Sequence, residues 1–298
     1  MHLNRTDINK KPLYGCIFFL LIQTWIKKQA RGPAMFSEKG AGTVRPAAVA
    51  GMFYPSDPQE LEMQIDGFLH AAERPAGAPK AMIVPHAGYI YSGPVAATAY
   101  ATLAESRHKI RRVVLIGPDH RVGFEGIAAP SAEWFETPLG RIPVDQQAID
   151  TLAGVERFDR AHSQEHSLEV HLPFLQKMLD SFKLVPLVVG QAGPEDVAAV
   201  LEQLWGGEET LIVISSDLSH YHDYETASRI DSETSRAIEA FNGSEIGPYE
   251  ACGYIGVRGL LQVARKKGLT ESTADLRNSG DTAGPRDQVV GYGAYLFY

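Results

Sequence analysis

Cysteine is scarce: Cys16 and Cys252 are the only two in 298 residues. That excludes a disulfide framework and points to a reducing, cytoplasmic compartment. Positive charge is scarce as well. Lysine and arginine number 28 against 36 acids, a net charge of −8, so no broad basic surface is available to neutralise a phosphate backbone, and nucleic acid is not an expected partner. There is also no apolar run long enough for a bilayer, which needs about 20 residues. The closest approach, Leu13 to Ile26, is interrupted by Gln23 and Thr24. We find neither a low-complexity linker nor a repeat of fixed period. With 44% hydrophobic and 21% charged residues, the composition is that of a globular protein, at a length that suits one large domain or two small ones.

The first 34 residues differ from the rest, with six basic residues against the single acid Asp7. Their apolar stretch has the length of a signal-peptide core, but Lys27 and Lys28 follow it, and Arg31-Gly32-Pro33-Ala34 is a poor cleavage site. We read 1–34 as an unstructured leader or a misassigned start ahead of Met35, with a membrane-associating segment as the alternative. The folded domain is placed at 45–298, and no membrane is expected for it.

From Arg45 onward, strand and helix signals alternate. Ala81–Val84, Val113–Ile116, Leu184–Val189 and Leu211–Ile214 are short apolar runs without polar alternation, as in parallel strands buried on both faces. Asp57-Pro58 followed by Glu60 reads as a capped helix start. Further helices are expected over Val95–Leu103, Gln146–Leu152, Leu168–Leu179, Val197–Trp205, Tyr224–Ala240 and Val257–Lys267. Glu136–Ile142 reads as a hairpin or tight loop, and Tyr292–Phe297 as a terminal strand, with antiparallel pairing left open. The expected fold class is α/β: a single domain with a mostly parallel central sheet and helices on both faces.

Chemistry appears where these strands stop. One run ends in Val84-Pro85-His86, a second in Gly117-Pro118-Asp119-His120, and a third in Ser215-Ser216-Asp217-Leu218-Ser219-His220. In an open parallel sheet the carboxyl ends of the strands border the crevice where ligands bind, so residues far apart in sequence meet there. Gly88, Gly93, Gly117, Pro85 and Pro118 fit tight turns around these histidines. Imidazole is the commonest metal ligand, and two or three imidazoles with one anion suit a divalent transition metal. Cys252, just before a helix whose positive end would favour thiolate, is one candidate anion. Asp217 and Glu250 are the carboxylate alternatives. His220 follows Asp217 by three positions and is a candidate for acid–base work with that carboxylate as its partner.

A second cluster is Glu165-His166-Ser167-Leu168-Glu169-Val170-His171. Ser167 is a candidate helix cap, and the acids and imidazoles are candidates for orienting a metal-bound histidine.

Pro85-His86-Ala87-Gly88-Tyr89, Gly117-Pro118-Asp119-His120, Glu165 to Pro173, Ser215 to His220 and Cys252-Gly253, in this order, resemble the Memo family, whose prokaryotic members are called AmmeMemoRadiSam system protein B. The likeness runs from about Arg45 to the C-terminus and includes Gly51-Met52-Phe53-Tyr54-Pro55. It implies a fold similar to class III extradiol dioxygenases, with His86, His120 and Cys252 binding iron or copper, zinc being the alternative. It also implies that His220 takes the acid–base position, with Asp217 close by. Those dioxygenases use a carboxylate where this chain offers Cys252, and a thiolate shifts preference toward Cu(I), Zn or an iron thiolate. The family's system name implies radical-SAM and Ammecr-type proteins as functional neighbours. The expected function is a metal-dependent, dioxygenase-like oxidoreductase acting on an unknown small molecule. A binding module for peptides or a partner protein with a degenerate pocket, and a zinc hydrolase, are the rivals.

Overall fold

The four unbroken apolar runs become four adjacent parallel strands, and everything else is arranged around them. The computed structural model describes residues 42–73 and 77–298; the reading of 1–34 as a leader lies outside them. In chain order the first half runs β1 (Val44–Arg45), α1 (Pro58–Ala71), β2 (Ala81–Val84), α2 (Tyr89–Ala101), β3 (Arg112–Pro118), β4 (Ile127–Ala129), β5 (Trp134–Thr137), β6 (Gly140–Pro143), α3 (Gln146–Asp150) and β7 (Val155–Arg157). The second half runs α4 (Asp159–Ser163), α5 (Leu172–Met178), β8 (Lys183–Val189), α6 (Pro194–Leu204), β9 (Thr210–Ser215), β10 (His220–His222), α7 (Tyr224–Glu239), α8 (Tyr254–Lys267), β11 (Glu271–Asn278) and β12 (Val289–Phe297).

Strands β2, β9, β3 and β8 lie side by side and parallel. Helices cover both faces of the sheet, so β2 and β9 are buried along their whole length. The flanks are antiparallel: β12 pairs with β2 on one side and β4 with β8 on the other. The expected terminal strand is therefore present and antiparallel. The expected hairpin is β5–β6, which joins β1 in a small separate sheet. Among the described residues, no helix is long and apolar enough to cross a membrane.

Two helices depart from expectation. Helix α2 begins at Tyr89 rather than Val95 and carries Pro94 inside it. Gly93 is not a turn residue: it faces Phe68 of α1, whose ring a Cβ would meet at 2.5 Å. The helix expected over Leu168–Leu179 is a turn of 3₁₀ helix (Glu169–His171) leading into α5. Ser167 does not cap it. Its hydroxyl donates instead to the Pro118 carbonyl at 2.9 Å, which ties this segment to the end of β3.

Candidate metal centre

Strand register brings the chemistry together. Val84 of β2 stands opposite Ser215 of β9, so two residues further on His86 meets Asp217, whose Oδ1 accepts the His86 backbone N–H at 2.7 Å. On the other side of β9, β3 ends at Pro118 and releases His120 beside them. Gly117 lets the Glu165–Ser167 segment cross this strand end, since a Cβ there would stand 2.8 Å from the Ser167 hydroxyl. The crossing delivers His166. One ring nitrogen each from His86, His120 and His166 lies within 4.8 Å of the others, a spacing one ion can bridge. Cys252 is delivered by Gly253, whose missing Cβ would meet the Ser215 carbonyl at 2.4 Å. Its sulfur sits 3.4 Å from His86 Nε2 and 3.3 Å from the Asp217 backbone nitrogen.

Hydrogen bonding sets the tautomers of two of these rings. The Ser215 hydroxyl donates its only proton to the Ser167 carbonyl at 2.6 Å. It must therefore accept from His86 Nδ1, 2.6 Å away, which leaves Nε2 with its lone pair free. Glu165 plays the same part for His120, since His120 Nδ1 donates to Glu165 Oε1 at 2.9 Å. The same carboxylate accepts the backbone N–H groups of His120 at 2.7 Å and of His166 and Ser167 at 2.9 Å. Burial opposes ionisation of Glu165, but these bonds and the neighbouring imidazoles win and bring its pKa down to about 2. His166 Nδ1 lies 3.2 Å from Glu165 Oε1 but outside hydrogen-bond geometry, so it is buried without a partner.

The Memo-like protein family model matches residues 45–296. A MEMO1 family protein of Saccharolobus solfataricus is 38% identical over 281 residues, covering 84% of this chain and 98% of that protein. The chain belongs to the Memo family. A MEMO1 family protein of Methanosarcina mazei is 37% identical over 270 residues, covering 85% of this chain and 98% of its own length. The crystal structure of an uncharacterized protein from Escherichia coli K12 is similar at a TM-score of 0.46 and 11% identity, covering 72% of this chain and 98% of that one.

In this Memo-family chain the strand-end residues do not all face where the sequence suggests. Asp217 turns to His86 rather than to His220: its Oδ2 lies 3.9 Å from His86 Nε2, and burial raises its carboxyl to about 7 despite the N–H bond it accepts. His220 is half-buried on β10. Burial lowers its pKa, the Leu218 carbonyl beside the ring works the other way, and the charges of His120 and His222 reinforce the lowering. Burial also pushes the Cys252 thiol up, and Asp217 adds to it, so the expected helix-end stabilisation of thiolate is outweighed. His86 is held well below the usual imidazole range by burial and by the neighbouring histidines. His166 is lowered to about 3 by burial and the charge of His120.

His166 is the residue that sequence reasoning set aside as mere support. Its only local signal is adjacency to Glu165, since its convergence depends on where the segment crosses β3. Glu169, one turn on, is fully buried and does other work. It pairs with Arg45 and accepts the Ala48 and Val49 N–H groups and the Tyr54 hydroxyl. This locks residues 45–54 over the site, with the Phe53 ring 4.6 Å from that of His166. A groove of about 760 Å³ leads away from Cys252 past Phe124, Gln191 and Tyr254.

Proposed function

We propose that this protein holds one iron or copper ion between His86 and His120, with Cys252 and His166 completing the donor set, and uses it in dioxygenase-related redox chemistry on a small molecule. The observation that carries this reading is the convergence of three imidazoles, two of them with Nε2 left free by fixed hydrogen bonds. The residues fit such an ion. His166 Nδ1 is a buried nitrogen without a partner, and three imidazoles beside a thiol suit borderline-to-soft transition metals better than magnesium or calcium.

When bound, iron or copper supplies one-electron chemistry at this point. The chain's own residues do the rest. Ser215 and Glu165 hold the rings of His86 and His120 in one orientation, and Asp217 fixes the backbone of His86. His220, whose pKa burial lowers, is the proton acceptor this reading assigns for a substrate held at the centre.

The full chain, purified without added metal or chelator, is expected to carry about one metal per chain by elemental analysis. His86→Ala and His120→Ala should each empty it, and His166→Ala and Cys252→Ser, each removing one donor, should each lower its occupancy. Full occupancy in all four variants would overturn the reading.

A further inference from the structure

Three phenols lie in the interior beside the candidate metal centre. Tyr54, Tyr89 and Tyr100 are all buried. Tyr89 and Tyr100 stand about three turns apart on α2 and so share one face, and Phe174 of α5 fits between their rings. Its centroid is 5.0 Å from that of Tyr89 and 5.2 Å from that of Tyr100, the second pair stacked within 13° of parallel. Tyr54 meets Tyr89 at 5.5 Å. Phe53 joins these rings to the centre: its own ring stands 4.6 Å from that of His166, and its carbonyl accepts the Tyr89 N–H at 2.8 Å. From His166 through Phe53, Tyr89 and Phe174 to Tyr100, successive groups are joined by a ring contact or a hydrogen bond.

The three hydroxyls differ in where their proton can go. Tyr89 donates to the Val170 carbonyl at 2.7 Å, which is no base. Tyr54 donates to Glu169 Oε1 at 2.5 Å, but that carboxylate already pairs with Arg45 and accepts the Ala48 and Val49 N–H groups. Tyr100 is different. Its hydroxyl stands 2.8 Å from His171 Nδ1, and among the described residues neither atom has another hydrogen-bond partner. His171 Nε2 is buried with no partner at all. If Nδ1 carried the imidazole proton, the Tyr100 proton would lack an acceptor as well, so the form that strands fewer groups has the phenol donating to a bare Nδ1. The unpaired Nε2 still costs roughly 1 to 3 kcal/mol, and packing alone does not call for a histidine there.

We propose that Tyr100 and His171 form a redox pair that stores an oxidising equivalent passed along these rings from the metal centre. Tyr100 gives up one electron, through Phe174, Tyr89 and Phe53, to the centre once dioxygen or a peroxide has oxidised it. The Tyr100 O–H bond breaks and an N–H bond forms at His171 Nδ1, leaving a neutral tyrosyl radical beside an imidazolium. Return of one electron to Tyr100 and of the proton from His171 restores both. An oxidised phenol is a strong acid, so His171 takes its proton even though burial holds the imidazole down to about 3. The identity of the oxidant rests on the function proposed above, whereas the chain of rings does not, so the test puts a photo-oxidant in place of the metal.

Met52 is exposed and next to Phe53, so Met52→Cys gives an attachment point at the start of the chain. A ruthenium polypyridyl label is fixed there in the full, metal-free chain, with Cys16→Ser and Cys252→Ser to keep the labelling to one site. After a flash with a cobalt(III) ammine as electron acceptor, the sample is frozen and any tyrosyl radical is read by pulsed EPR, with isotope-labelled histidine in the protein. Among the described residues, only Tyr100 has its hydroxyl hydrogen-bonded to a histidine, so coupling of the radical to a histidine nitrogen identifies it. That coupling is expected in the labelled parent and should be lost in Tyr100→Phe, which keeps the ring. Phe174→Leu should leave an uncoupled radical held back at Tyr89 or Tyr54; if that variant does not fold, Phe174→Met fills more of the space. No tyrosyl radical in the parent, or one without histidine coupling, overturns the proposal. So does coupling that survives Tyr100→Phe, or that reaches the parent yield without Phe174. Metal content is measured separately on the unlabelled chain. A coupled radical with no metal bound there would sink the metal reading and leave the redox pair standing, and bound metal with no coupled radical would do the opposite.

Discussion

Replacing Glu165 by glutamine changes almost no volume and removes the carboxylate that sets the tautomer of His120. In the native protein Oε1 accepts from His120 Nδ1 and from the N–H groups of His166 and Ser167, while Oε2 accepts from the N–H of His120. An amide has one acceptor oxygen. Placed at Oε1 it keeps three bonds and turns its NH₂ against the His120 N–H, whereas the opposite flip loses three. The first orientation should prevail, leaving one N–H unpaired at a cost of roughly 1 to 3 kcal/mol. At about 2 to 4 °C per kcal/mol for a domain this large, the metal-free variant should melt several degrees below the native protein. His120 keeps its tautomer, but its bond falls from charge-assisted to neutral, and outer partners of this kind are worth about 10- to 100-fold in metal affinity. Chelator competition and thermal unfolding measure the two effects separately. A lower melting temperature with unchanged metal affinity would refute the orienting role and leave Glu165 as a brace for the turn.

Glu169→Ala strands the buried Arg45 and the two N–H groups it served, so a loss of roughly 3 to 5 kcal/mol is expected in urea unfolding. Adding Arg45→Met should recover part of it, and a loss too small to shift the midpoint would contradict the lock. Acid should destabilise the metal-free protein early. Unfolded imidazole takes a proton near pH 6.5, whereas burial holds His166 and His171 to about 3 and His162 to about 4, with His86 also well below normal. The unfolded chain therefore binds more protons, and stability falls as pH drops from about 6.5 toward 3. Asp217 has the opposite sign: at about 7, it keeps a proton that an unfolded aspartate releases near pH 4, and so adds stability on the way down. Asp217→Asn should therefore steepen the acid loss, and melting temperatures between pH 8 and 4 that fall less steeply in the variant would contradict the assignment.

The buried strands were legible because helices on both faces demand unbroken apolar runs, which β2, β3, β8 and β9 supply. Strand β11 was not legible. Its sequence, Glu-Ser-Thr-Ala-Asp-Leu-Arg-Asn, is polar because it pairs only with β12 and is mostly half-buried. The start of α2 was hidden by Gly93 and Pro94, which read locally as a turn, although the glycine is required by Phe68 of another helix. At the site, the positions of His86, His120 and His220 after apolar runs pointed to a common crevice. The partners of those residues were not readable, because register decides them. Asp217 sits three positions from His220 in sequence, yet the β2–β9 alignment hands its carboxylate to His86. His166 joins the cluster only because the chain crosses over Gly117.

The fixed tautomers have a consequence for the stoichiometry of metal uptake. His86 and His120 commit Nδ1–H to Ser215 and Glu165 before any ion arrives, so coordination through Nε2 displaces nothing. Burial keeps Cys252 a thiol, so its sulfur joins a metal only by expelling a proton. At pH 8, where Asp217 is already mostly ionised, binding enthalpies measured in two buffers of different ionisation enthalpy count that proton. An all-imidazole centre loads without buffer dependence, and each sulfur recruited adds one proton's worth of heat.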